Sequence, residues 1–288
     1  MKTRFFALAA LALSLAACNN DNENLNGGPV AAQFTADIYE AVSTRASGTT
    51  WDNGDRIGVT DIGNDTQYGN VPFILKNGKF EAEEKVIYIK DTKTHIFRAY
   101  YPYDAAGGIL TATTDATAQQ NQPAIDFLFA SGATGDKDSP VVSFTDDHAF
   151  HHRMSRITLT FEAGDGVDFS VIKPEGYTLG DVILTGTFNT ADGIAAADGT
   201  AEALAMDLAD GSLTSSVILF PQTAASLPLV VNFNDVEYKA TLTVPEGALQ
   251  AGNNYTYTVK VRNKGIEVSE ATIAKWNDID GGEVGADL

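Results

Sequence analysis

The sequence predicts an all-β protein, because apolar and polar residues alternate with a period of two along most of its 288 residues. Two further observations support this class: turn residues separate the alternating runs, and a helical period is hard to find. Strands with one apolar face need a second sheet to cover that face. We therefore predict two β-sandwich domains, and the 44% content of hydrophobic residues is enough for two cores.

The first 17 residues predict a secretory signal peptide. Lys2 and Arg4 precede an apolar stretch over 5–15 that is too short to span a bilayer. The stretch ends in Leu15-Ala16-Ala17-Cys18, which resembles the bacterial lipobox. That resemblance implies that Cys18 is acylated and becomes the new amino terminus, and several acyl chains would make a stable membrane anchor. The alternative is an ordinary signal peptide with an incidental cysteine.

Residues 18–28 predict a flexible tether, because this Asn-rich stretch lacks apolar periodicity. Its acidic, Asn-rich run resembles the surface-export signal of Bacteroidetes lipoproteins, although a generic linker looks similar.

The predicted N-terminal domain covers 29–145. Its first strand is indicated by Val30, Ala32, Phe34, Ala36 and Ile38, which alternate with mostly polar residues and should point into the sandwich. Farther along, two short apolar runs flank Asn77-Gly78, the strongest short hairpin signal. The boundary is expected in or just after the Gly/Asp/Ser-rich stretch 131–139, and we place it near residue 145.

The predicted C-terminal domain covers 146–288. Ile157, Leu159 and Phe161 should share one strand face. The runs 227–233 and 236–244 flank Asn234-Asp235 and predict a hairpin, and the alternation over 255–261 adds a third consecutive antiparallel strand. The Ala-rich stretch 191–209 suggests a surface insertion with a helical turn over 201–206. Near the end, Ile266, Val268, Ile273 and Trp276 indicate either a closing strand pair or part of a donor segment, and the tail 277–288 is acidic and glycine-rich.

Charge and composition exclude several functions. Removing Lys2 and Arg4 takes the formal charge from −19 to −21, which argues against nucleic acid as a partner. Cys18 is the only cysteine, so the chain has no internal disulfide. The cluster Asp146, Asp147, His148, His151 and His152 suggests a metal site, but His151 and His152 would point to opposite faces of a strand. We predict no cofactor, no metal and no enzymatic activity; His95 lacks a nearby nucleophile motif.

Several motifs together resemble the fimbrillin family of Bacteroidales. They are Trp51-Asp52-Asn53-Gly54-Asp55-Arg56-Ile57-Gly58-Val59, Tyr100-Tyr101-Pro102-Tyr103, Asp126-Phe127-Leu128, His152-Arg153-Met154-Ser155-Arg156-Ile157, Phe220-Pro221-Gln222, and Ala251-Gly252-Asn253-Asn254-Tyr255-Thr256-Tyr257 near Trp276. Each motif alone would suit an ordinary β-sandwich. Their order and spacing match the family along nearly all of the chain after Cys18.

The resemblance implies two tandem transthyretin-like β-sandwich domains in an outer-membrane lipoprotein precursor that assembles with other subunits into a type V pilus. An arginine-specific protease would cut between Arg45 and Ala46 and remove the segment 29–45 with its strand. A strand from another subunit would then enter the vacated groove. In the alternative, the first strand stays in place and the chain is a monomeric surface lipoprotein that binds glycans, with Tyr100, Tyr101 and Tyr103 as the platform. Whether the subunit forms the shaft, anchor or tip of the pilus stays open.

Overall fold

The computed structural model describes residues 28–39, 50–63, 68–209 and 211–276. The predicted all-β class is confirmed, since the only helices in these ranges are three short 3₁₀ turns at Ala118–Ala124, Asp146–His148 and Pro245–Gly247. The strands are, in chain order, β1 Val30–Ala31, β2 Gln33–Ala36, β3 Arg56–Asp61, β4 Val71–Lys76, β5 Lys79–Ala82, β6 Tyr88–Ile89, β7 His95–Tyr101, β8 Ile109–Thr113, β9 Leu128–Gly135, β10 Val141–Phe144, β11 His151–His152, β12 Ser155–Ala163, β13 Gly176–Ile183, β14 Thr185–Asn189, β15 Ile194–Ala197, β16 Ala201–Asp207, β17 Thr214–Leu219, β18 Gln222–Thr223, β19 Ser226–Phe233, β20 Val236–Thr243, β21 Ala248–Leu249, β22 Asn253–Arg262, β23 Gly265–Val268 and β24 Thr272–Lys275.

The first half of the chain forms one large sheet with the strand order β10-β2-β5-β4-β3-β7-β9-β11, and β1 pairs separately with β6. The predicted hairpin at Asn77-Gly78 is confirmed: both residues have positive φ, and β4 and β5 pair on either side of them. The sheet buries a core rich in phenylalanine, including Phe34, Phe73 and Phe97. Residues 131–135, expected near a boundary, belong instead to β9 and pair with β7.

The second half forms two facing sheets. One has the order β17-β12-β22-β23, with β24 also beside β22, and the other has the order β16-β13-β19-β20. Ile157, Leu159 and Phe161 of β12 are at most 2% exposed, as their alternation predicts, and they belong to the core between these sheets. Strands β23 and β24 both pair with β22, so the residues around Ile273 form a closing strand pair in this chain.

The C-terminal strand connections correct one prediction. The hairpin at Asn234-Asp235 is confirmed, with positive φ at both residues. However, β20 and β22 are not neighbours, because β22 lies in the other sheet and runs parallel to β12. The segment after Thr243 therefore crosses from one sheet to the other. Alternation shows that each strand has one buried face, but it does not show which sheet the strand joins.

The Ala-rich stretch corrects a second prediction. Residues 201–207 form β16, which pairs antiparallel with β13, and no helical turn is present there. Alanine, leucine, methionine and glutamate favour helices only weakly as single residues. Pairing with β13 and burial of Leu204 at 1% exposure override that preference.

A third sheet joins the two halves. It has the order β15-β14-β8, so that β8 from the first half pairs with β14 from the second. Its inner face packs on a core cluster that combines Phe127 and Phe129 with Phe188, Phe220 and Trp276. The predicted division at residue 145 stays a prediction. None of the helices in the described ranges is long and apolar enough to cross a membrane.

The turn between β14 and β15 provides a test of this packing. Gly193 has φ +71°, and a Cβ atom there would lie 2.3 Å from Cγ of Phe129. Gly247 has nearly the same φ, +68°, but open space around it. We expect Gly247→Ala to cost about 1–2 kcal/mol from the left-handed backbone alone. Gly193→Ala should cost a further 1–3 kcal/mol or so from overpacking. Urea unfolding of both variants measures the difference, and equal costs would contradict the packing of this turn on Phe129.

Candidate functional site

The N-terminal strand lies inside the first sheet rather than at its edge. β2 pairs in parallel with β10 through Gln33↔Val141 to Ala36↔Phe144, and on its other side Phe34 is opposite Phe80 of β5. Further backbone bonds extend the pairing: Asp37 N–H donates to Phe144 O at 2.9 Å, and Tyr39 N–H donates to Phe150 O at 2.8 Å. The strand therefore separates β10 from β5, and no other described strand joins those two.

Phe34 is the principal side-chain anchor of this strand. It is 2% exposed, and its ring centroid lies 4.7 Å from that of Phe73, 5.4 Å from Phe97 and 6.2 Å from Phe144. The contacts with Phe73 and Phe97 are edge-to-face and that with Phe144 is stacked. Aromatic pairs of both kinds contribute stability beyond the burial of area. Ala32 and Ile38 are also buried, at 6% and 7% exposure, which confirms the predicted inward face. Val30 is only half-buried, because it pairs with β6 in the small separate sheet.

The chain leaves the sheet at Tyr39. The Tyr39 ring stacks on His151 with centroids 4.5 Å apart. The next described residue is Thr50. Trp51 then packs edge-on against Phe80 and Phe150 of the same core. The predicted cleavage residues Arg45 and Ala46 lie between these points, outside the described residues, and so does Cys18.

A polar cluster lies where the two halves meet, beside the end of this strand. His152 is 3% exposed; its Nδ1 lies 2.8 Å from Asp126 Oδ1, and its ring stacks on Trp276 at 4.4 Å. Because a carboxylate can only accept, Nδ1 carries the proton of this bond. The guanidinium group of Arg156 also lies over the Trp276 ring, with Cζ 5.0 Å from the ring centroid. Trp276, the last described residue, is thereby fixed between the halves.

Two cavities adjoin Trp276. One of about 600 Å³ is lined by Tyr39, Asp147, His151, His152, Arg153, Ala251, Gly252, Lys275 and Trp276. The other, of about 480 Å³, includes Ile38, Trp51, Asp126, Arg156 and Trp276 in its walls. Burial, together with the nearby Arg153, lowers the pKa of His151, and burial also lowers the pKa of Arg156. Both cavities thus lie between the first strand and the end of β24.

The histidines that suggested a metal site each have a different partner. His148 Nδ1 lies 3.0 Å from Ser131 O, His151 stacks on Tyr39, and His152 pairs with Asp126. Among the described residues, no three His, Cys, Asp or Glu side chains are grouped so that they could hold a metal ion. The sequence did not predict the second buried pair, in which His95 Nδ1 lies 2.6 Å from Asp61 Oδ2. Its partners are 34 residues apart, and no local pattern links them.

The tyrosines considered for glycan binding are structural. Tyr100 is 3% exposed, its hydroxyl lies 2.8 Å from Asn70 Oδ1, and burial raises its pKa to about 12. Tyr101 is half-buried and donates to Asp55 at 3.1 Å. Tyr103 is half-buried beneath the guanidinium of Arg56, with 4.7 Å between Cζ and the ring centroid. These side chains stabilise the corner after β7 and present no open aromatic platform.

Comparison with known proteins identifies this architecture. The family model described as fimbrillin-like matches residues 44–276. The chain belongs to the fimbrillin-like family. A Bacteroides uniformis protein that carries the name of fimbrium subunit Fim1C is 29% identical over 307 aligned positions, with 98% of each chain covered. The resemblance to fimbrillins that the sequence motifs indicated is therefore confirmed. The family is one of cell-surface fimbrial proteins.

Solved structures share the fold. A protein described as a cell adhesion protein of Bacteroides ovatus superposes with a TM-score of 0.73 at 29% identity, covering 88% of this chain and all of that one. A similarly described protein of Bacteroides uniformis gives 0.70 at 25% identity, covering 86% and 99%. The tip fimbrial protein Mfa3 of Porphyromonas gingivalis, truncated at its C terminus, gives 0.56 at 9% identity, covering 85% and 99%, which shows a likeness of fold alone.

The burial of Phe34 among other phenylalanine rings predicts a large effect of its removal. Phe34→Ala should lower the free energy of unfolding by about 3–5 kcal/mol, because it empties a space between three phenylalanine rings. Thr35→Ala is the matched control: Thr35 is exposed and its hydroxyl bonds only Ser143 in the described contacts, so the change should cost about 1 kcal/mol or less. Urea unfolding monitored by circular dichroism measures both. Similar small costs for both variants would mean that β2 contributes little to the core.

Proposed function

We propose that this fimbrillin is a lipid-anchored precursor of a fimbrial structural subunit, activated by removal of its first strand and assembled by strand exchange. The observation that supports this most is the place of β2, which is paired on both sides, with β5 and with the edge strand β10. Loss of this strand would open the edge of β5, leave β10 without its strand partner and expose an apolar groove. Such a state favours addition of a strand from a neighbour. The role is structural, and no step requires catalysis by the subunit.

Arg45 is the proposed cleavage residue, with Ala46 as the new amino terminus. It lies six residues after Tyr39, the last described residue of the strand segment, and before Thr50. A cut there would separate β1 and β2 from the rest of the chain. The arginines in the described ranges are less suitable substrates, because Arg56, Arg98, Arg156 and Arg262 lie in strands and Arg153 lies directly between two strands. An arginine-specific protease is therefore the proposed processing partner.

Cys18 is the proposed lipid attachment residue, which would hold the precursor at the surface of the outer membrane. The strand begins shortly after it, at Val30, so the anchor and the strand would leave together when Arg45 is cut. Other fimbrial subunits are the proposed assembly partners. The same single cut would thus release the subunit from the membrane and open its groove.

Processing can be tested in the producing strain. With radiolabelled palmitate, the unchanged precursor should carry label, and sheared fibres should contain an unlabelled chain that begins at Ala46. Arg45→Lys should leave a labelled, uncut precursor and few or no fibres, because the charge is kept but an arginine-specific protease is denied its substrate. Cys18→Ser is the control for the label and should incorporate none. Normal fibres built from uncut Arg45→Lys chains would refute activation by this cut.

Strand exchange can be tested separately with purified protein. A chain that begins at Ala46 should melt at a lower temperature than one that begins at Cys18. A peptide of residues 29–39 should restore part of the loss, because its Phe34 can refill the space beside Phe73 and Phe97. The same peptide with Phe34→Asp should restore almost nothing, since it would bury an unpaired carboxylate. Equal restoration by both peptides would show that binding in the groove does not depend on the inward face of the strand.

A further inference from the structure

The sheet that joins the two halves has an uncharged outer face. Its paired residues alternate, so that one set points to the core and the other to solvent. The inward set includes Leu110, Phe188 and Ala195. The outward set is Ile109, Thr111 and Thr113 of β8, Thr185, Thr187 and Asn189 of β14, and Ile194 and Ala196 of β15. None of these eight side chains is charged, on a chain whose formal charge is −19.

Two of the most exposed large apolar side chains are part of this outer face. Ile109 is 69% exposed and Ile194 is 61% exposed. Both are paired with Asn189, one on each side of β14, so they flank the same point of the sheet. On a strongly acidic protein, a contiguous uncharged patch with exposed apolar side chains indicates a contact surface.

The β8 edge of the same sheet is open. Thr190 N–H donates to Gly108 O and Thr114 N–H donates to Leu184 O, which fixes the alternation of bonds along β8. Leu110 and Ala112 therefore direct their backbone groups to β14, and Ile109, Thr111 and Thr113 direct theirs away from it. In the described part of the chain, no backbone group hydrogen-bonds these three on the open side. The strand also lacks the charges, proline or bulge that usually protect an edge.

Several other strand edges of the second half are protected. On β15, the opposite edge of the joining sheet, Ala197 N–H donates to Pro221 O at 3.2 Å. β16 carries Glu202, β20 carries Glu237 and Lys239, and β23 carries Glu267. β17 is uncharged like β8, but glutamine side chains cover it: Gln122 Nε2 donates to Ser216 O at 2.8 Å, and Gln119 bonds both N–H and C=O of Ile218. No side chain of the described residues covers β8 in this way, which distinguishes it from β17.

We propose that β8 pairs with β8 of a second copy of this chain. In an antiparallel pairing around a two-fold axis at Thr111, the two Thr111 residues are opposite each other and Ile109 is opposite Thr113 of the second copy. Each opposed pair exchanges both backbone bonds, since all three residues direct their backbone groups outward. The contact is isologous, with the same strand on both sides.

The backbone pattern of the open edge favours a second copy as the occupant, because the outward N–H and C=O groups of Ile109, Thr111 and Thr113 complement those of an identical antiparallel strand. Two chains of charge −19 repel each other over most of their surfaces, and this repulsion is weakest where neither presents a charge. The open edge and the uncharged face are continuous, so pairing also brings the exposed Ile109 side chains next to uncharged neighbours. The pairing uses neither the β2 groove nor the end of β24, so it adds a lateral contact that does not depend on strand exchange.

Sedimentation velocity of the full chain with Cys18→Ser, which removes the lipid, tests the pairing. In about 0.5 M salt, where repulsion is screened, we expect a reversible monomer–dimer equilibrium. Amide exchange should slow at Ile109, Thr111 and Thr113 as the dimer forms.

Thr111→Pro removes only an outward N–H, which an edge strand tolerates, and should weaken the dimer roughly tenfold or more.

A pair of lysine variants separates this contact from general charge effects. Ile109→Lys places a charge at the proposed interface and should also weaken the dimer. Val171→Lys makes the same kind of change at a residue 76% exposed and outside this sheet, and should leave the dimer unchanged or slightly stronger. Thermal melts check that each variant is folded. If Thr111→Pro does not fold, Ile109→Lys still decides the question. A chain that stays monomeric throughout, or a dimer that Ile109→Lys does not weaken, would overturn the proposal.

Discussion

The first sheet depends on the insertion of β2 between β5 and β10. No other described strand connects those two, so their common partner is a stretch of four residues near the beginning of the chain. Phe34 makes this insertion stable, because its ring is in contact with phenylalanines from three other strands. In this short strand, one large buried side chain makes most of the aromatic contacts with the core. That combination is compatible with the proposed removal and replacement of this strand.

The junction between the halves depends on different interactions. Phe127 stacks on Phe188 with centroids 4.6 Å apart, and the glycine at 193 lets the β14–β15 turn approach Phe129. The buried pair of His152 and Asp126 adds a directional contact that also orients Trp276. Close packing and a hydrogen-bonded polar pair together restrict the halves to one arrangement. A rigid arrangement would transmit the position of one subunit to the next in a fibre.

Much of the fold could be predicted from alternation and turn residues. Phe34, Ile157 and Tyr257 are buried as their spacing indicates, and both hairpin turns occur at the predicted dipeptides. The parallel pairings of β2 with β10 and β12 with β22 could not be predicted, since register between distant strands leaves no local pattern. The same reason explains why the His152–Asp126 and His95–Asp61 pairs were missed. The prediction of a helical turn over 201–206 was wrong because the composition of this stretch favours helix, whereas pairing with β13 makes it the strand β16.

The parallel pairing of β2 has a consequence for the order in which the chain folds. Thr35 and its contact Ser143 are 108 residues apart in sequence. β2 must therefore pair with a strand that is far away in the chain, and closing such a long loop costs entropy before any contact compensates for it. We expect the rest of the first core to collapse around an open groove before β2 enters. Folding would then pass through a state that is missing the same strand that maturation is proposed to remove.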